Sequence, residues 1–342
     1  MDPISQGILG AVASGLCADR SNIRKATLVG WAAGMLADAD VLIKSASDPL
    51  LNIEYHRHFS HALLFVPLGG LLCACIFWLL TRKAWRLPFR SLFVFSFAGY
   101  ATAGLLDACT SYGTRLFWPF SDARVAWNII SIIDPILTAT LLILVMIGVA
   151  RKRLVWFRVS LFFACSYLLL GVVQRDRTVQ LQTDLATQRG HTSMIQRTVK
   201  PSIGNLLLWR SIYHHGDQIY VDAIRTGLFG QPKVYEGVSL PVLTLRQLSD
   251  GLPEDCVLVE DLKRFDHFSD GYLAQHPEDP NVIGDLRYAV LPQSVTPLWG
   301  IRVDRERINA HVTFETFRNV TKQDRIRLLR MLNGQPLDPT DR

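Results

Sequence analysis

Ala62 to Leu80 is nineteen residues without a charge, which at about 1.5 Å per helical residue crosses a hydrocarbon core of about 30 Å. Ile129 to Ala150 and Leu154 to Val173 repeat the pattern with one polar exception each, Asp134 and Arg158. Ser91 to Cys109 is a fourth such run and carries Asp107 near its end. Ala26 to Ile43 is a weaker fifth, because its uncharged stretch stops at Asp38; Ile4 to Ala18, rich in Gly and Ala, either crosses or only dips in. That first run has no basic leader and follows Asp2, so it is not read as a cleaved signal peptide. The pattern predicts a mainly α membrane protein, with a bundle of five to six transmembrane helices over residues 1–173.

Beyond Val173 the apolar runs shorten and alternate. Arg175 to Arg189 reads as a helix continuing from the last span. Leu206 to Ile212 and Gln218 to Arg225, joined through His214-His215-Gly216-Asp217, read as a β-hairpin. Val282 to Leu291, Leu298 to Val303 and Ile308 to Phe317 read as strands, and Thr321 to Leu332 as a closing amphipathic helix with Thr321 as N-cap. Residues 174–342 are therefore expected to form a soluble α+β domain. No internal repeat, Walker loop or dinucleotide fingerprint occurs.

Charge adds an orientation. The chain carries a net +6, and all of the excess lies in the apolar half: residues 1–173 hold 15 Lys/Arg against 9 Asp/Glu, whereas residues 174–342 hold 21 of each. A charge confined to loops between spans argues against a nucleic-acid partner. Arg20, Arg24 and Lys25, then Arg82, Lys83, Arg86 and Arg90, then Arg151, Lys152, Arg153 and Arg158 mark the cytoplasmic side, with Asp19 the only acid among them. If every run crosses, the N-terminus lies outside and the C-terminal domain is periplasmic. Six cysteines without a CxxC pair give neither a disulfide scaffold nor a zinc-finger signal.

Ionisable residues at the edges of spans are costly and need a reason. Asp38 and Asp40, His56, His58 and His61, and Asp107 all approach the membrane from the same, non-cytoplasmic face. A lone Asp at a helix end is usually a cap, and a lone juxtamembrane His is usually interfacial. Two to three of each in one layer form a candidate divalent-metal site, because neutral imidazole and carboxylate oxygen are both good zinc ligands. His56 and His61, five apart, would not share a helical face; His58 and His61, three apart, would, which makes His58 a rival ligand.

These segments resemble the YdjM-like family of membrane-bound, metal-dependent hydrolases, also described as LexA-binding and inner-membrane-associated. The resemblance lies in Ser5-Gln6-Gly7, Ala37-Asp38-Ala39-Asp40, His56-Arg57-His58-Phe59-Ser60-His61-Ala62 and Gly99-Tyr100-Ala101-Thr102-Ala103-Gly104-Leu105-Leu106-Asp107, completed by Thr110-Ser111-Tyr112-Gly113 and Trp118-Pro119-Phe120. It covers roughly residues 1–150. It implies a bacterial inner-membrane hydrolase with one or two divalent ions, most simply Zn2+, held by Asp38, Asp40, His56, His61 and Asp107, with Gln6, His58 and Asp134 as further candidates. Similarity to zinc phospholipase C enzymes implies a phosphoester or lipid-linked substrate, whose anionic group Arg57 and Arg124 would bind unless they order the outer loops. The LexA-binding label needs a cytoplasmic surface, which this topology limits to short basic loops.

The departures from the family pattern set up the alternative. Gln6 stands where the family often has His, and Ala103 occupies the histidine of the His-x-x-x-Asp pair. A non-catalytic membrane binding or regulatory protein with a degenerate metal site is the second expectation. Asp134, in Ile132-Ile133-Asp134-Pro135, is either a helix cap or an orienter of a ligand histidine.

Overall fold

The computed structural model describes residues 1–337; the end of the domain expected to reach 342 lies outside the described residues. The chain divides into two compact units, one of Met1–Leu42, Tyr55–Val173 and Ile203–Asn205, the other of Ile43–Glu54, Gln174–Ser202 and Leu206–Arg342. Segment 43–54, between the Asp and His motifs, thus packs with the second unit.

The first unit is helical: α1 (Pro3–Leu16), α2 (Ile23–Leu36), a 3-10 turn at Ala37–Leu42, 3-10 turns at Phe59–His61 and Leu63–Phe65, α4 (Val66–Trp85), α5 (Phe89–Ala108), α6 (Pro135–Arg151) and the part of α7 (Leu154–Gln188) up to Val173; the rest of α7 and nearly all of α3 (Leu51–Tyr55) belong to the second unit. Among the described residues three stretches are long and apolar enough to cross a membrane, Leu63–Trp85, Phe89–Ala108 and Leu154–Gln188. The runs expected at 4–18, 26–43 and 129–150 become helices of 14, 14 and 17 residues. The Asp2 carboxylate accepts from Ser5 N and starts α1 at Pro3, and the helix stops at Leu16, two residues short of Ala18. The other two shortenings have local causes. Beyond Leu36 the backbone tightens into the turn that carries Asp38 and Asp40. Pro135 disfavours helical geometry in the residue before it, so α6 begins there with Asp134 as its cap.

α1, α2 and α5 touch backbone to backbone. A Cβ on Gly30 would lie 2.4 Å from the Gly10 carbonyl, and one on Gly99 would lie 2.6 Å from the Gly30 carbonyl. Small residues permit such approach where lipid gives helices no hydrophobic reason to associate.

The second unit holds two antiparallel four-stranded sheets, β1 (Arg197–Pro201), β2 (Leu208–His215), β3 (Gln218–Arg225) and β4 (Lys233–Pro241), then β5 (Leu273–His276), β6 (Asp279–Asp285), β7 (Trp299–Arg302) and β8 (Thr313–Thr316), each in sequence order. Helices α8 (Leu245–Ser249) and α9 (Val257–Phe268) join the sheets, and α10 (Lys322–Leu332) closes the described chain. The expected β2–β3 hairpin forms with Tyr213 opposite Tyr220. Thr321 caps α10 in a capping box with Asp324. The strand expected over 282–291 stops at Asp285, because Arg287 turns its guanidinium back onto the Asp285 carboxylate at 2.8–2.9 Å. The strand expected over 308–317 keeps only Thr313–Thr316. Buried Arg210 on β2 donates to the carbonyls of Leu286, Pro292 and Ser294, and burial pushes its guanidinium pKa down to about 9.

Candidate metal centre

Three backbone devices bring the polar motifs together. The 3-10 turn after α2 presents Asp38 and Asp40. The turn at Phe59–His61 presents His61 against α5, with the Tyr100 hydroxyl donating to the Ser60 carbonyl at 2.8 Å. Asp107 sits in the last turn of α5, fully buried.

Between His56 and His58 the chain passes through Arg57 with φ +60°, a left-handed conformation uncommon for a residue with a side chain. That kink sends the two imidazoles different ways. His56 Nδ1 bonds Asp40 Oδ1 at 2.8 Å. His58 enters an aromatic nest, 5.3 Å from the Tyr55 ring and 5.4 Å from that of Trp118, and its Nε2 accepts from Arg115 at 2.8 Å.

The Asp40 carboxylate acts as a hub. Oδ2 accepts from Ser60 Oγ at 2.6 Å and from Arg57 N at 2.8 Å, and lies 3.2 Å from His61 Nδ1. Ser60 gives its proton to Asp40, which leaves its oxygen to accept from His61 Nδ1 at 3.0 Å. This pattern assigns the proton to Nδ1 and turns Nε2 into a lone pair. Nε2 lies 3.0 Å from Asp107 Oδ2 and 3.3 Å from Asp38 Oδ1.

An imidazole lone pair facing two carboxylates calls for positive charge beside it. The Asp107 oxygens are met by the Met1 amine and by Arg57 Nε, whereas among the described residues His61 Nε2, Asp38 Oδ2 and Gln6 Oε1 are buried and form no hydrogen bond, so a cation between Asp38 and His61 would satisfy them. One ligand atom from each of Asp38, His61 and Asp107 lies within 4.8 Å of the others. Ligands about 2.0–2.1 Å from a tetrahedral ion lie about 3.4 Å from one another, so the spacing fits a divalent ion. A histidine whose second nitrogen is held by a carboxylate is also the usual arrangement at metal sites.

The remaining candidates surround this trio. Gln6, fully buried, donates to Asp38 Oδ1 at 3.3 Å. Arg57 places Nε 3.0 Å from Asp107 Oδ2 and donates to Thr110 Oγ1 at 2.9 Å. Arg57 and Arg124 both stack on Tyr112, at 4.9 and 5.2 Å. The Met1 amine contacts Asp107 Oδ1. Asp134 lies outside the cluster: it caps α6 by accepting from Leu137 N and takes both its other bonds from the Tyr167 hydroxyl at 2.9–3.0 Å. Ala103, fully buried one turn before Asp107, belongs to an apolar cluster with Ala33, Ala37, Val66, Cys73 and Tyr100.

Residues 1–178, just over half of the chain, match the family described as YdjM inner membrane protein. The chain belongs to the YdjM family. It is also similar to inner membrane protein YbcI of Escherichia coli (strain K12), 32% identical over 102 residues, which is 29% of this chain and 57% of the relative. The chain thus matches a little over half the length of that curated relative. No solved structure matches. With its apolar helices, YdjM family membership makes this an inner membrane protein, and the matched region contains every residue of the cluster.

Ser60, Tyr100 and Gly104 were not singled out from sequence. Tyr100 and Gly104 share a helical face with Asp107 at seven and three residues' distance, a signal that becomes readable once Asp107 is known to matter. Ser60 carried none beyond its place in the motif.

Proposed function

We propose that this YdjM-family protein is a metal-dependent hydrolase of the inner membrane, acting at the periplasmic face on a phosphoester or lipid-linked substrate. The observation that carries the reading is the buried His61 Nε2 lone pair aimed at Asp38 and Asp107, with Asp40 fixing the tautomer. Asp38, His61 and Asp107 would hold the ion, with Gln6 Oε1 beside them. The ion would supply Lewis acidity toward a water and the scissile ester. Asp40 and Ser60 orient His61, and Asp40 also holds His56, which is partly open to solvent. Arg57, clamped by Asp107 and Thr110, keeps positive charge next to the carboxylates, and Arg124 adds a second guanidinium across Tyr112. The one-sided distribution of basic loops supports the periplasmic orientation, and five to six spans remain the count that this orientation uses.

The competing reading, a binding or regulatory protein with a degenerate site, is favoured by Ala103, whose surroundings are apolar. One experiment separates them. The purified full-length protein should carry a transition metal by elemental analysis and hydrolyse a simple phosphodiester, and Asp38→Ala should lower both at least tenfold. Metal without activity, in the native chain and in Ala103→His, supports the degenerate site; no metal in either form overturns the hydrolase. A reporter fused after Arg342 tests the orientation, and cytoplasmic readout would reverse it.

A further inference from the structure

In α7 the apolar portion Leu154–Val173 contains Arg158 as its one charge, and Gln174-Arg175-Asp176-Arg177 follows at once. Twenty residues at about 1.5 Å span about 30 Å, so the hydrocarbon edge falls near Val173. Gln174 is buried, and its amide donates to the carbonyls of Gly227 at 2.8 Å and Leu206 at 3.2 Å. Arg177 also reaches the Gly227 carbonyl, at 3.3 Å. The loop after β3 is therefore tied to the first turn of α7 beyond the apolar segment.

That loop carries Leu228 and Phe229 between Gly227 and Gly230, both with positive φ. Phe229 is 90% exposed and Leu228 49%. Thr226 N bonds the Leu207 carbonyl and holds the base of the loop.

We propose that Leu228 and Phe229 insert into the headgroup and acyl boundary of the bilayer that α7 crosses, as an accessory membrane anchor of the C-terminal unit. The distances decide for lipid. The headgroup layer is about 5–8 Å deep on each side, and one helical turn is about 5.4 Å, so a loop bonded to Gln174 and Arg177 lies within that layer. An aromatic ring at this depth is favourable, whereas fully exposed to water it is not.

The test replaces Phe229 by the photocrosslinker p-benzoylphenylalanine in the full chain, reconstituted in vesicles of phosphatidylethanolamine and phosphatidylglycerol. The same probe at Phe162, exposed on α7, reports lipid contact, and at Glu278, exposed between β5 and β6, reports background. Irradiation should add the mass of one phospholipid to the peptide containing position 229, as at 162, and leave 278 unmodified. No adduct at 229 with one at 162, or equal adducts at 229 and 278, overturns the proposal.

Discussion

A Cβ built on Gly104 would lie 2.1 Å from the carbonyl oxygen of His61. The absence of a side chain at 104 is what lets the Phe59–His61 turn lie against α5, one turn before Asp107. The position of the imidazole therefore depends on a residue with no chemistry of its own.

Gly104→Ala should displace His61. Overpacking of this kind costs about 1–3 kcal/mol, and the Nε2 to Asp107 spacing would open. A lowered thermal midpoint with loss of bound metal is expected. Wild-type values for both would count against the contact.

His58 and His61 should behave differently although they lie three residues apart. His61→Ala should remove the metal, whereas His58→Ala should keep it and cost the packing with Tyr55 and Trp118, about 0.5–1.5 kcal/mol per aromatic pair, together with the hydrogen bond from Arg115. Elemental analysis and thermal denaturation of the two variants check this; equal metal loss would place His58 in the site.

Asp40→Ala should be more damaging to folding than a surface substitution. It strands the buried Ser60 hydroxyl and Arg57 amide, at about 1–3 kcal/mol for each buried unsatisfied group, and releases the partly exposed His56 imidazole. Unfolding in detergent should show a destabilisation above about 2 kcal/mol. A smaller change would mean that the hub is solvated.

In the second unit Arg264 grips segment 43–54, donating to both Asp48 oxygens at 3.0–3.1 Å and to Glu54 at 2.8 Å, while also meeting Asp261 at 3.0 Å. Burial raises the Asp48 pKa, but the Arg264 hydrogen bonds and charge outweigh it and hold the carboxyl below its usual 3.8. A carboxylate with a depressed folded pKa adds stability above its unfolded pKa and loses it as pH falls through the folded value. The stability difference between wild type and Arg264→Ala should be constant near neutral pH and shrink below about pH 4. A difference that persists unchanged in acid would assign the effect to packing.

Much of the helical unit was legible because membrane spans and caps are local. Nineteen uncharged residues declare a span by length alone, and Thr321 declares a helix start by the hydrogen bond that its hydroxyl accepts from the Asp324 amide. Helix α9 was overlooked although Leu258, Leu262 and Phe265 fall on one face and are buried; strands β1 and β5 are only five and four residues long, and β4, at nine residues, buries a single side chain and so shows no alternation. The candidate residues were readable as a set, since carboxylates and imidazoles beside spans are expensive wherever they occur.

Their division of labour was not readable. Sequence by itself determined the inner-membrane helices, the mixed C-terminal domain and the polar cluster, because hydropathy, capping and ionisable cost act over a few residues. Only the tertiary structure decided that Asp38, His61 and Asp107 converge, that Asp40 turns toward His56 and Ser60, and that Asp134 is a cap held by Tyr167. Those outcomes depend on a left-handed Arg57, on the room left by Gly104 and on hydrogen bonds between residues tens of positions apart, and spacing along a chain does not encode the direction of a side chain across such a distance.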